Sequence, residues 1–244
     1  MVEITFVGTG DAFGSGGRRN SAILVRADGR TLLLDCGPTT LPGLKALGVD
    51  PREIDAIAIS HFHGDHSSGV PYLLLDYVFD SKRKTPLIVA GPRGVEKRIC
   101  ELTTAFDYDT NDDRHYSLSY LEFEVDQPIA LAGFQVTPMP AHHHPHTSPH
   151  MLRVENDERA LLFTGDTGWH ERLPERAGDV NLMISECVLM DEGFEYHLSH
   201  ERLMRERERF RCERMILTHL GSEVLEGRDH VQFDTAEDGL RVRL

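Results

Sequence analysis

The stretch Ile59–Gly69, ISHFHGDHSSG, sets three histidines and an aspartate within six positions, directly after the apolar run IDAIAIS (Ile54–Ser60). That run reads as a buried strand, so His61, His63, Asp65 and His66 leave a strand end as a loop, and Gly64 permits a tight bend among them. In such a loop alternate residues can converge on one point while the following pair turns toward a second. Packing gains little from any of these side chains, and the H-x-H-x-D-H spacing predicts two adjacent metal sites. Imidazole and carboxylate suit zinc, and also iron or manganese, so ligand type alone does not fix the metal.

Further ligands have to come from elsewhere in the chain. Short runs rich in Val, Ile and Leu recur: EITFVG, SAILVRA, TLLLDCG, PLIVAG, FQVTPM, ALLFTGD, VNLMISE and RMILTHL. Each has the length of a strand, and many end in Gly, Asp or His. Plausible helices lie between them at LPGLKALG, GVPYLLLDYVFDSKR, GPRGVEKRICELTTAF and HLSHERLMRERERFRC, which makes the chain α/β with helices covering sheet faces. Strand ends downstream supply His142, His143 and His144, then Asp166 in LLFTGDT and His219 in MILTHLG, all able to reach one sheet edge.

Composition narrows the function. At 244 residues and a formal charge of −14, the chain is long enough for a substantial core and poorly suited to attract an extended polyanion. The opening MVEITFVGTG lacks a basic segment followed by a long apolar one, and no run approaches the ~20 apolar residues of a membrane span. Cys36, Cys100, Cys187 and Cys212 form no C-x-x-C pair, so reduced cysteines in a cytoplasmic, unexported protein are expected, with no membrane partner. No Pro, Gly or Ser linker and no periodic repeat is visible; residues 1–244 read as a single domain, and the polar stretch Asp107–Ser117 as a surface loop. The stretch Glu201–Arg214 holds six arginines, but glutamates at 201, 206, 208 and 213 offset them at helical spacings, so it reads as a solvated helix laced with ion pairs. GTGDAFGSGGRRN near the start exposes glycine backbone and offers Arg18 and Arg19 to a phosphate, yet it lacks the spacing of a nucleotide-binding P-loop.

The order HFHGDH, then His143 within PMPAHHHPHTSPHMLRVE, then TGDT, then LTH resembles the metallo-β-lactamase superfamily of metal-dependent hydrolases. The resemblance spans nearly the whole chain. GTG, RRNS, SHFHGDHSSGVPYLLL, FTGDT and HLS are most similar to its ribonuclease Z and PhnP-type phosphodiesterase branch. It implies a four-layer αβ/βα sandwich with a dinuclear centre at one edge of the two sheets. His61, His63 and His143 would hold one divalent ion, Asp65, His66 and His219 the other, and Asp166 would bridge. Zinc is expected first, with manganese or iron also suitable. His142 and His144 compete with His143 for its place; the resemblance favours His143, because the family places its ligand three residues after a proline like Pro140 and ahead of a segment like LRVE. The remaining histidines between 142 and 150 read as a polar loop near the metal mouth.

Two metals roughly 3.5–4 Å apart can share a water, lower its pKa and present a bridging hydroxide to an electrophile while neutralising charge on the substrate oxygens. That suits phosphodiester hydrolysis. Asp65 and His197 are the catalytic candidates, with His197 in EYHLSHERL serving as general acid or as a phosphate-contacting cation. Thr167 could orient Asp166, and Glu186 in ISEC could hold a ligand imidazole. A small or cyclic phosphodiester is the leading substrate. Transfer-RNA 3′ processing, or hydrolysis of a lactone or thioester, uses the same ligand set. Nucleic acid is not favoured as a partner, and a homodimer is expected by analogy with related phosphodiesterases.

Overall fold

The computed structural model describes residues 1–108 and 114–244. The first half carries β1 (Glu3–Gly8), β2 (Ala22–Ala27), β3 (Arg30–Leu34), β4 (Ala56–Ala58), β5 (Leu87–Gly91) and β6 (Leu118–Glu122). Among them lie α1 (Thr40–Ala46), α2 (Gly64–Ser67), α3 (Val70–Phe79) and α4 (Val95–Ala105). The second half carries β7 (Ile129–Leu131), β8 (Phe134–Pro140), β9 (His150–Glu155), β10 (Ala160–Phe163), β11 (Val180–Glu186), β12 (Cys212–Thr218) and β13 (Asp234–Thr235). Helices α5 (Leu173–Ala177), α6 (His200–Arg205) and α7 (Ser222–Glu226) accompany these, and β14 (Arg241–Arg243) follows.

Two seven-stranded sheets result, in the orders β14-β1-β2-β3-β4-β5-β6 and β7-β8-β9-β10-β11-β12-β13. In the first, pairing is antiparallel from β14 to β3 and parallel from β3 to β6. The second repeats this pattern, antiparallel from β7 to β10 and parallel from β10 to β13. The chain thus contains a topological repeat that its sequence does not display, completed when β14 crosses to the first sheet.

Strand alternation explains why the apolar runs are continuous. Ile23, Val25, Leu32 and Leu34 face Leu152, Val154, Leu161, Phe163, Leu182 and Ile184 in the layer between the sheets. Their neighbours Leu24 and Leu33 point outward to Leu44, Leu73 and Ile99 on α1, α3 and α4. Leu162 and Met183 point outward to Leu173, Leu203 and Val224 on α5, α6 and α7. Strands covered on both faces need apolar residues at every position, each fully buried Leu or Ile contributing about 1.5–3 kcal/mol. Helix, sheet, sheet and helix are the four layers of the metallo-β-lactamase sandwich.

Element ends depart from expectation where tertiary pairing overrides local pattern. The helix expected to reach Arg214 stops at Arg205, passes through a 3₁₀ turn at Arg207–Arg209 and gives way to β12 at Cys212, because Cys212 pairs with Val180 of β11. The ion pairing survives: Glu206 meets Arg202, Arg205 and Arg209, and Arg209 also reaches Glu171 at 3.0 Å. The loop expected over Asp107–Ser117 falls partly outside the described residues. Among those described, no helix is long and apolar enough to cross a membrane.

Candidate metal centre

The histidine-rich stretch leaves β4 through Ile59 and Ser60, and α2 then carries Asp65 and His66. Its position is fixed by the neighbouring loop after β3. Cys36 N donates to the His66 carbonyl at 2.7 Å, and Gly69 N donates to the Cys36 carbonyl at 2.8 Å. A Cβ on Gly69 would stand 2.0 Å from the Gly37 carbonyl oxygen, so only glycine lets the two loops meet this closely.

Two sets of ligand atoms converge here: His61, His63, His143 and Asp166 in one, and Asp65, His66, Asp166 and His219 in the other, the atoms of each set lying within 4.8 Å of one another. In the first, His63 Nδ1 lies 3.1 Å from both His61 Nε2 and His143 Nε2, and Asp166 Oδ2 lies 3.8 Å from the same two Nε2 atoms. In the second, His66 Nε2 and His219 Nε2 are 3.2 Å apart, with Asp65 Oδ2 at 3.1 and 3.2 Å from them. Asp166 Oδ1 is 3.2 Å from His66 Nε2 and 3.5 Å from His219 Nε2. Asp166 therefore offers one oxygen to each set. His61, His66, His143, Asp166 and His219 are all buried.

The outer atoms of the imidazoles show why these contacts suit cations. His143 Nδ1 donates to the Tyr196 carbonyl at 2.9 Å, and His66 Nδ1 donates to Asp35 Oδ2 at 2.6 Å. With Nδ1 donating, Nε2 of each ring points inward; in His143 it is a lone pair, and in His66, where burial opposes a proton but Asp166, Asp65 and Asp35 outweigh it and raise the pKa, it is the position at which a cation would replace a proton. His61 Nδ1 meets Ser60 Oγ at 3.0 Å, and Ser60 Oγ donates to Asp35 Oδ2 at 2.9 Å, which extends the same logic to a third ring. Lone pairs 3.1 Å apart repel unless a positive charge lies between them. A tetrahedral zinc with Zn–N near 2.0–2.1 Å separates its ligand nitrogens by about 3.3–3.4 Å. Buried Asp166 Oδ1 has no hydrogen-bond partner among the described residues. The donor set fits a pair of divalent cations. Burial pushes the His143 pKa down to about 4 against the pull of Asp166, which keeps that ring in its ligating, neutral form.

His197 stands beside the two sets. Its Nδ1 meets Glu186 Oε1 at 2.8 Å, and Glu186 also accepts from the backbone N–H of Thr167 at 2.8 Å and of Leu198 at 3.2 Å. Burial opposes charge on His197, but the facing Glu186 carboxylate outweighs it and raises the pKa to about 9. Glu186 thus holds the imidazole of His197 and not one from either metal set, which corrects the expectation. Thr167 does not orient Asp166 with its hydroxyl, which donates to the Gly168 carbonyl at 3.0 Å and accepts from His142 N–H at 2.9 Å.

Of the three adjacent histidines only His143 enters the cluster. His142 packs its ring 5.5 Å from Tyr196, and His144 sits 4.4 Å from the same ring. His150, expected in a polar loop, is buried at the start of β9 against Phe123. Arg18 and Arg19 do not offer their charge to the mouth. Arg18 Nη1 donates to Thr9 Oγ1 and the Ala236 carbonyl, and Arg19 Nε donates to the Val7 carbonyl at 2.7 Å. Their loop is built around Asp11, which accepts from Phe13 N at 3.1 Å and Ser15 N at 2.9 Å.

Asp35 escaped the sequence reading. It follows β3 in TLLLDCG, fully buried, and accepts from Ser60 N at 2.7 Å besides Ser60 Oγ and His66. The signal was present, since an acidic residue ending a doubly buried strand needs partners. Which partners it finds is set by the spacing of β3 and β4.

Three comparisons bear on this arrangement. The family model described as anti-Pycsar protein Apyc1 matches residues 2–236. A ribonuclease Z of Mycobacterium sp. (strain KMS) is 26% identical over 249 residues, covering 94% of this chain and 87% of its own. Among solved structures, the metallo-β-lactamase fold protein YhfI from Bacillus subtilis has a TM-score of 0.80 at 22% identity, covering 99% of this chain and 98% of its own. Human tRNase Z, short form, has a TM-score of 0.78 at 23% identity with the same coverage.

Proposed function

The chain belongs to the family of the anti-Pycsar protein Apyc1 and carries the metallo-β-lactamase fold, and from that premise we propose that it is a dinuclear metal-dependent phosphodiesterase acting on a small or cyclic phosphodiester. In this reading residues 1–244 act as one metallo-hydrolase unit. His61, His63 and His143 hold one ion, Asp65, His66 and His219 the other, and Asp166 joins them. The observation that carries it is Asp166, whose two oxygens fall in two separate ligand sets on a single carboxylate.

Two divalent ions, zinc in the first instance, would supply Lewis acidity toward the phosphate oxygens and lower the pKa of water. The chain's own residues do the rest. Asp65 sets an anionic oxygen 3.1 Å from His66 Nε2 and 3.2 Å from His219 Nε2, where the three together would hold a cation. His197, held as a cation by Glu186, contacts the anionic phosphate or delivers a proton from Nε2 to the departing alkoxide. Glu186 positions that ring without itself facing the substrate.

The test is the initial rate on bis(p-nitrophenyl) phosphate for protein stripped of metal and then reloaded with zinc or manganese. Metal-dependent turnover that is abolished in Asp166→Ala and His66→Ala is expected. Turnover undiminished in either variant would sink the assignment, and none from loaded wild type would redirect it to a lactone or thioester. Similarity to a ribonuclease Z over 94% of the chain supports a second reading, transfer-RNA 3′ processing. A charge of −14 weighs against it. RNA cleavage should weaken steeply with added salt as counterions are released, whereas small diesters should turn over with little salt dependence.

A further inference from the structure

His219 differs from its neighbours in how its ring is held. Nδ1 of His61, His66 and His143 meets Ser60 Oγ, Asp35 Oδ2 and the Tyr196 carbonyl, whereas the buried Nδ1 of His219 has no hydrogen-bond partner among the described residues. Its ring stacks on that of His66, with centroids 5.1 Å apart and planes at 22°. Stacking sets the plane of the ring without setting how far it reaches toward Asp65, so that reach has to come from the backbone. His219 has a φ of +54°, in the left-handed region. A residue bearing a side chain keeps that conformation only where its surroundings over-determine it.

Those surroundings lead to the C-terminal segment. His219 N donates to the Thr9 carbonyl at 2.9 Å, and Leu220 bridges to Gly10. Thr9 is fully buried just after β1, and its N–H and hydroxyl both go to one carboxylate oxygen, Asp238 Oδ1, at 2.9 and 2.8 Å. The other oxygen accepts from Arg19 N at 2.9 Å and lies 3.4 Å from Arg19 Nε. Asp238 stands where the chain passes from the second sheet back to the first. Ala236 N donates to the Leu217 carbonyl of β12 and Gly239 N to the Phe6 carbonyl of β1, each at 2.7 Å. One carboxylate thus ties the end of β1 to the backbone of a ligand that follows β12.

We propose that Asp238 is a positioning residue for the second ligand set: it fixes Thr9, whose carbonyl holds the backbone of His219, and thereby aims His219 Nε2 at the point it shares with Asp65 and His66. The proposal rests on the reading of that set as a metal site. Asp238 itself belongs to neither ligand set. Three donors converge on it, Thr9 N–H, Thr9 O–H and Arg19 N–H, and an ionised carboxylate accepts all of them. An asparagine would keep one oxygen for Thr9 and turn its NH₂ against the N–H of Arg19. An alanine would leave the N–H of buried Thr9 unpaired and free the carbonyl that holds His219.

The test returns zinc to stripped protein in competition with a chelating dye, with His219→Ala and His143→Ala showing which binding step belongs to which set. Asp238→Ala should weaken the ion of Asp65, His66 and His219 about 10–100-fold and leave the other within about twofold. Asp238→Asn should lose less than Asp238→Ala. In a His219→Ala background, Asp238→Ala should cost no more than about a further twofold, because the residue it acts through is gone. Val242→Ala, which thins the core under β14, and Glu237→Ala, which breaks a surface ion pair with Arg228, should leave both ions in place. Equal loss in both sets, additive loss in the double variant, or unchanged zinc affinity in Asp238→Ala would overturn the proposal. Histidine ring signals of the metal-free protein give a second readout by NMR: Asp238→Ala should move those of His219 and spare those of His143. Unmoved His219 signals would overturn the positioning even if zinc bound more weakly. Wild type that takes up no metal would refute the metal reading, and the same ring signals would then decide whether Asp238 positions His219.

Discussion

Replacing Asp35 by Asn preserves volume and removes one negative charge from a fully buried acceptor beneath the centre. Asp35 takes hydrogen bonds from Ser60 N at 2.7 Å, Ser60 Oγ at 2.9 Å and His66 Nδ1 at 2.6 Å. An asparagine can keep its oxygen on Ser60 N only by turning its NH₂ toward Ser60 Oγ and His66, where a donor meets a donor. His66 relieves the clash by moving its proton to Nε2, the atom that faces His219 and Asp166. That tautomer cannot ligate. Loss of a partner holding a ligand imidazole typically costs 10–100-fold in metal affinity, about 1.4–2.7 kcal/mol. Zinc affinity measured by competition with a chelating dye should show the loss in the site of Asp65, His66 and His219, with a smaller effect on the other site, reached only through Ser60 Oγ and His61. Ser21 Oγ touches Asp35 at 3.4 Å, so Ser21→Ala should be nearly silent and serves as the local control. Two zinc equivalents bound to Asp35→Asn with wild-type affinity would refute the tautomer argument.

The Glu186–His197 pair gives a pH prediction. A histidine raised from 6.5 to about 9 contributes stability in full below pH 6.5 and loses it as pH climbs through about 9. The melting temperature of wild type should fall more across that window than that of His197→Gln. Diester turnover should decline above about pH 9 in wild type, and the variant should be slow throughout without that limb. Asp166→Asn should reduce zinc affinity in both sets, since the first would lose its one carboxylate oxygen and the second one of its two; selective loss of one ion by direct titration would contradict a shared carboxylate. Gly69→Ala forces a methyl to within 2.0 Å of the Gly37 oxygen. An overpacking cost of about 1–3 kcal/mol translates to roughly 2–12 °C in a chain of this size, read by thermal denaturation.

Strands were legible because both sheets are covered on both faces. TLLLD and VNLMISE need apolar residues at consecutive positions, and such runs announce themselves. Short partners such as β13, Asp234–Thr235, carry no such run and take strand form only because Ile216 and Leu217 pair with them. The ligand candidates were legible for a different reason. Histidine and aspartate at strand ends have no role in packing, so their presence required a chemical explanation. Choosing among His142, His143 and His144 could not follow from composition, since all three are the same residue. The carbonyl of Tyr196, 53 positions away, fixes the His143 ring, and a backbone acceptor leaves no trace in residue identity.

The topological repeat relates the two acidic residues at the heart of the site. β3 and β10 occupy equivalent places in their sheets, each at the switch from antiparallel to parallel pairing. Asp35 follows β3 and Asp166 follows β10, so the fold delivers a buried carboxylate to the same edge from each half. Their surroundings separate their roles. Asp35 is enclosed by Ser60 and His66 as donors and is satisfied by protein alone, whereas Asp166 Oδ1 has no hydrogen-bond partner among the described residues and lies among imidazole Nε2 atoms. One carboxylate is consumed in orienting a ring and the other is left for cations. With the donor shell of Asp35 filled by protein, Asp166 is the one of these two strand-end carboxylates left open to a cation.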